Sequence, residues 1–113
     1  MEEGKLYDTS AVIELVARKG VTLIPGYISV LTAIEYPPSI PRAMGILYPS
    51  KQDYKLAIAW QVKLRKIGYP LPAVDLVIAA QAYNNCLELV ALDRHFKIIK
   101  EKLALDLKLV EKI

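Results

Sequence analysis

Pro72-Ala73-Val74-Asp75-Leu76-Val77-Ile78-Ala79-Ala80-Gln81-Ala82, followed by Cys86-Leu87-Glu88-Leu89-Val90-Ala91-Leu92-Asp93, is the stretch that decides the fold. Pro72 suits the first turn of a helix. The residues after it are apolar nearly all round, so the helix they predict, running to about Tyr83 with Asn84-Asn85 as its stop, is buried on most sides. The second run reads as the best strand of the chain, ending at Asp93, with Cys86 as a small core residue at its start. Asp75 shares one helical stripe with Ile78, Ala79 and Ala82. A carboxylate on a buried face is strongly unfavourable unless it finds a cation or strong donors. Two explanations stand at this point: an acid capping the first turn or paired with a lysine, and an acid belonging to a cation site.

Outward from this stretch, the same alternation of periods holds. Lys5-Leu6-Tyr7-Asp8 reads as a short strand ending at Asp8, after which Thr9 or Ser10 caps a helix through Ala11 to Lys19. Gly20 stops that helix, with Arg18 and Lys19 in its last turn. Tyr27-Ile28-Ser29-Val30 is β-rich. Leu31 to Tyr36 starts a helix that Pro37-Pro38 ends, Pro37 to Pro41 is irregular, and Ala43 to Tyr48 is another short strand. From Lys51 to Ile67 the period becomes 3.6, with Leu56, Trp60, Leu64 and Ile67 on one stripe beside Ala57 and Ala59, and the lysines mostly off it. A basic segment follows Asp93, and Leu105 to Val110 alternates like a final strand. Strands alternating with helices predict an α/β fold with a mainly parallel sheet and helices on both faces. In such a fold the functional crevice lies at the carboxyl ends of the strands, where Asp8 and Asp93 fall.

Composition narrows the chemistry. The 113 residues are enough for one domain, expected over 1–113. One Cys excludes an internal disulfide framework and multi-cysteine zinc sites, and one His excludes a multi-His metal cage. The opening Met1-Glu2-Glu3-Gly4-Lys5 lacks the pattern of a secretory leader, and no run approaches the ~18 apolar residues of a membrane span, so a cytoplasmic protein with no membrane contact is expected. There is no Gly-x-Ser-x-Gly elbow, no phosphate loop and no Gly-x-Gly-x-x-Gly turn. Chemistry must rest on carboxylates, hydroxyls and amines. The net charge of +3 is compatible with a polyanionic partner.

The acids matter as a set. Asp8 and Asp93 at strand ends, Asp75 in a buried helix and Glu35 in another helix are the ligand types of a hard divalent cation such as Mg²⁺ or Mn²⁺. Taken singly each has an ordinary explanation: Asp8 as a cap, Asp93 as a turn acid before Arg94-His95-Phe96, Glu35 as an exposed helix residue. His95 reads first as a surface turn residue, with a phosphate contact or a proton shuttle as the alternative.

These residues resemble a family. Tyr7-Asp8-Thr9-Ser10, Ile28-Ser29-Val30-Leu31-Thr32-Ala33-Ile34-Glu35, Gly68 through Ala82 and Leu87 through Phe96 together resemble PIN-domain proteins of the VapC toxin type, over nearly the whole chain. The resemblance implies a PIN-like three-layer fold and a Mg²⁺- or Mn²⁺-dependent endoribonuclease, the toxin of a toxin-antitoxin pair. Asp8, Glu35, Asp75 and Asp93 would correspond to the catalytic, metal-binding acids, and Thr9 or Ser10 to a companion hydroxyl. It also implies a homodimer and an antitoxin partner whose tail enters the acidic groove. Arg94 and Lys97 are the best candidates to hold the RNA backbone. The chain departs from the family pattern at three places: His95 stands where an acid is common, Ala91 where a Thr is usual, and Pro37-Pro38 truncate the helix after Glu35. That truncation keeps an alternative in view, a non-catalytic PIN-fold RNA-binding or assembly module. A phosphate-accepting signalling domain with Asp8 as acceptor fits less well, since no lysine and hydroxyl pair follows at strand ends.

Overall fold

A computed structural model describes residues 4–113; the first three, on which the reading for a leader began, lie outside the described residues. Five strands form one sheet: β1 (Lys5–Tyr7), β2 (Tyr27–Ser29), β3 (Gly45–Leu47), β4 (Glu88–Val90) and β5 (Leu109–Val110). Their order is β3-β2-β1-β4-β5, and every pair is parallel. The helices are α1 (Thr9–Ile13), α2 (Val30–Glu35), α3 (Lys51–Lys66), α4 (Ala73–Asn84) and α5 (His95–Lys102). This is the expected three-layer α/β architecture.

Two cores account for the layers. On one face Leu6 and Leu89 pack with Trp60 and Leu64 of α3, Leu76 to Ala80 of α4, and Phe96 and Ile99 of α5. On the other, Tyr7, Ile28 and Val90 pack with Ala11 and Val12 of α1 and Ala33 of α2. The register explains the split. Leu6 pairs with Leu89 and Tyr7 with Val90, so equal parity sends matched side chains to the same face. A sheet buried on both sides needs near-continuous apolar strands, and these strands supply them.

The topology also locates the crevice. β1 lies between β2 and β4, so the chain leaves β1 for one side and later returns to the other. Loops after β1 and β4 therefore diverge at one point of the sheet edge, the place where such folds bind ligands.

Several local expectations need correction. The cap of α1 is Asp8, not Thr9 or Ser10: its backbone is extended and its carboxylate accepts from the Ala11 amide. A hydroxyl one or two residues later is already inside the helix. That helix then widens into a π turn over Glu14–Arg18, closed by the Lys19 amide donating to the Glu14 carbonyl, before Gly20 at φ +66° ends it. Pro37–Ser39 forms one 3₁₀ turn where irregular chain was expected. The buried face of α3 is Asp53, Ala57, Trp60 and Leu64, whereas Ile67 of the expected stripe and Ala59 beside it are exposed and Leu56 is only half-buried. Asp53 tolerates burial because it completes a capping box with Ser50 and accepts from Asn84 Nδ2 at 2.8 Å. The basic segment after Asp93 is helix α5, held by Phe96 and Ile99.

Cys86 is the clearest miss. The strand starts only at Glu88, and Cys86 is exposed in a turn at φ +54°. The amide of Leu87 donates to Ala82 O at 3.0 Å and that of Cys86 to Tyr83 O at 3.3 Å, which closes α4 with the paired bonds of a Schellman cap. Cys86 occupies the left-handed position that glycine usually takes. α5 ends the same way, with Ala104 at φ +50°, and α3 ends likewise with Gly68 at φ +83°.

Candidate metal centre

Asp8 follows β1, and its own amide donates to Val90 O of the neighbouring strand at 3.0 Å. The side chain is buried, at 3% exposure. Its carboxylate accepts from the Ala11 amide at 3.0 Å and from Ser10 Oγ, which lies 2.8 Å from both oxygens. Burial pushes the carboxyl up to about 6; these bonds oppose the rise, and the charge of Asp75 adds to it. Ser10 does a second job. Its hydroxyl accepts the Leu92 amide at 3.1 Å, tying the loop after β4 to the turn after β1.

Asp75 stands in the first turn of α4, with its side chain 18% exposed. Burial raises its pKa; the hydrogen bond from His95 opposes that rise, while the charges of Asp93 and Glu35 reinforce it. Asp93 follows β4 and closes a tight turn: its Oδ1 accepts the backbone amide of His95 at 2.9 Å. The His95 ring then lies between the two acids, with Nδ1 2.7 Å from Asp75 Oδ2 and 3.2 Å from Asp93 Oδ1. Asp75, Asp93 and His95 each bring a donor atom into one group whose atoms all lie within 4.8 Å of one another.

Glu35 is the last residue of α2 and is exposed. Thr9 Oγ1 donates to Glu35 Oε1 at 2.7 Å and lies 3.0 Å from Thr32 Oγ1, so a hydroxyl pair orients this carboxylate. Among the described residues, the compact cluster therefore contains Asp75 and Asp93 of the four acids. Asp8 and Glu35 stand outside it, close enough for their charges to be felt at Asp75 or to feel it. Arg94 and Lys97 are exposed beside it, Lys97 at 4.0 Å from Glu101.

His95 is the site residue that sequence reasoning passed over as a surface turn. The signal was present: a donor-bearing side chain two residues beyond a strand-end Asp. With no other histidine in the chain, the sequence suggests at most a phosphate contact or a proton shuttle, not a place among the acids.

The donor set suits a divalent cation. Carboxylates that repel one another in a half-buried crevice gain from a shared positive charge, and oxygen donors are what Mg²⁺ and Mn²⁺ prefer. Among the described residues, neither Arg94 nor Lys97 pairs with Asp75 or Asp93; the protein group between the two acids is the His95 ring.

Neither a protein-family model nor a curated protein matches the sequence. Solved structures do match the fold. A chain of DNA-bound VapBC from Salmonella typhimurium superposes with a TM-score of 0.74 at 18% identity, over 96% of this chain and 98% of that one. A chain of VapBC-1 from nontypeable Haemophilus influenzae gives 0.69 at 24% identity, over 95% and 96%. A chain of VapBC2 from Rickettsia felis, bound to a promoter DNA fragment, gives 0.66 at 16% identity, over 94% and 97%. The chain thus has a PIN-like fold, shared end to end with chains of toxin-antitoxin complexes.

Proposed function

We propose that this protein is a VapC-type toxin, a Mg²⁺- or Mn²⁺-dependent endoribonuclease held in check by an antitoxin. The observation that carries the proposal is the convergence of Asp75, Asp93 and His95 at the carboxyl edge of a parallel sheet, with Asp8 and Glu35 each near enough to repel Asp75. The fold shared with VapBC chains supports the same reading.

A bound divalent ion would supply an activated water and a positive charge against the phosphodiester oxygens. Asp75 and Asp93 would hold it directly. Asp8, fixed by Ser10 and the Ala11 amide, presents a buried carboxylate behind the half-buried Asp75 and Asp93. Glu35 is aimed by Thr9 at the rim, so Thr9 and Ser10 serve as the auxiliary hydroxyls by orienting acids. Arg94 and Lys97 offer cations to the RNA backbone beside the acids.

A partner surface accompanies the site. Tyr54, Ile58 and Val62 are exposed at successive turns of α3, and Tyr54 and Ile58 border an apolar cavity of about 310 Å³ between α3 and α4. An apolar face of this kind supports a homodimer.

The test is cleavage of a mixed RNA pool with Mn²⁺ or Mg²⁺, with and without chelator, by the native chain and by Asp75→Asn. Losing a ligand exceeds the roughly 10–100-fold effect of losing an outer-shell partner, so cleavage is expected to fall at least that far. Chelator-insensitive cleavage, or an unaffected variant, refutes the metal role. Absence of cleavage on every RNA tried favours the non-catalytic module.

A further inference from the structure

We propose that His95 is itself a ligand, adding an imidazole nitrogen to the carboxylates and biasing the centre towards Mn²⁺ over Mg²⁺. The inference rests on the metal site proposed above and concerns which ion that site selects.

Geometry is the first support. Two donors in neighbouring positions of an octahedral ion bonded at about 2.1 Å stand about 3.0 Å apart. Nδ1 of His95 lies 2.7 Å from Asp75 Oδ2 and 3.2 Å from Asp93 Oδ1, so one ring nitrogen already stands at ligand-to-ligand spacing from two carboxylates. The second support is preorganisation. His95 opens α5, its amide is bound to Asp93, and the next residues inward, Phe96 and Ile99, are fully buried. The backbone that carries the ring is thereby fixed beside the two acids. Third, the donors that meet Asp75 Oδ2 and Asp93 Oδ1 among the described residues all belong to His95, so an ion beside Nδ1 would face the same two oxygens without displacing another residue. The tautomer with its ring proton on Nε2 leaves Nδ1 a lone pair for an ion.

Selectivity follows from donor chemistry. Mg²⁺ demands near-ideal octahedral oxygen ligation and releases water reluctantly. Imidazole suits transition ions better than alkaline-earth ions. The two unequal edges at His95 are more easily met by the less demanding ion. An acid at this position would add a charge and an oxygen; His95 adds a nitrogen and no negative charge.

The test uses the full chain with Mn²⁺ and Mg²⁺ as probes. Calorimetry gives the affinity for each ion, and pulsed EPR of bound Mn²⁺ reads a ¹⁴N coupling that only a coordinated nitrogen produces. The native chain should show that coupling. His95→Asp should abolish it and lower the Mn²⁺-to-Mg²⁺ preference by about tenfold or more, the scale of a lost coordination-sphere contact. His95→Gln, which keeps a hydrogen-bond donor without the imidazole, should behave the same way, and it carries the comparison if His95→Asp does not fold. Mn²⁺ bound without nitrogen coupling, or an unchanged preference in both variants, overturns the role of His95 and leaves the metal site standing. No binding of Mn²⁺ by the folded native chain overturns both.

Discussion

Asp8→Asn tests the electrostatics of the crevice without needing a substrate. The folded carboxyl of Asp8 titrates at about 6 against 3.8 for the free group, mainly because it is buried. Between those values the folded state holds a proton that the unfolded chain releases. Stability associated with Asp8 is therefore fully present below pH 3.8 and is lost as pH rises through 6. At about 1.4 kcal/mol per pKa unit, the two-unit shift corresponds to about 3 kcal/mol lost above pH 6 in metal-free protein. Asn cannot ionise, and its carbonyl can still accept the Ala11 amide. It loses part of the bonding to Ser10, a reduction of about 1 kcal/mol. The variant should thus be more stable than the native chain by about 2 kcal/mol at pH 7.5, and of equal or lower stability at pH 4. Urea unfolding of both proteins from pH 4 to 8 in excess chelator gives the difference curve, which carries the Asp8 titration together with its coupling to Asp75. A variant less stable than the native chain at pH 7.5 refutes the reasoning, because the ionised carboxylate would then be a net stabilising cap. Saturating Mn²⁺ should stabilise both proteins, since Asp75, Asp93 and His95 remain in the variant, and should narrow the gap by raising the native chain more, whose Asp8 charge the ion offsets.

Other expectations follow from the same structure. Cys86→Gly and Ala104→Gly should each raise stability by about 1 kcal/mol in urea unfolding, since L side chains sit there in left-handed backbone that glycine adopts freely. Ile58→Glu, at a position 65% exposed on the apolar face of α3, should convert a dimer to a monomer in light scattering without changing the far-UV spectrum. Replacing Arg94 and Lys97 by Ala should weaken RNA binding measured in chelator for all sequences alike, and flatten its salt dependence by about one charge each.

The architecture was legible because two kinds of signal agreed. The buried all-apolar helix with one Asp and the short apolar strand ending in another could belong only to a sheet covered on both faces, and strand-end acids fall at the edge where such folds work. What was not legible depended on tertiary placement. The face of α3 was misjudged because Asp53, a charged residue, belongs to the buried side once Ser50 and Asn84 satisfy it. Helix α5 was hidden by its lysines, although Phe96, Ile99 and Leu103 repeat at helical spacing and the first two are buried. Cys86 looked like core by its neighbours in sequence, but the helix cap placed it in solvent. His95 joined the acids only because the Asp93 turn folds its ring back towards α4. The four acids were picked out as one set. The structure groups Asp75 and Asp93 with His95 and leaves Asp8 and Glu35 outside that group, a distinction that spacing along a chain does not encode.

The most direct measurement is the anomalous difference map of crystals grown in Mn²⁺. One strong peak is expected about 2.1 Å from a carboxylate oxygen of Asp75 and of Asp93, at the carboxyl edge of the sheet, and it should be absent from crystals of Asp75→Asn. A map with no peak at this cluster under saturating Mn²⁺, or a peak bound only by acids elsewhere on the surface, contradicts the assignment of the metal centre.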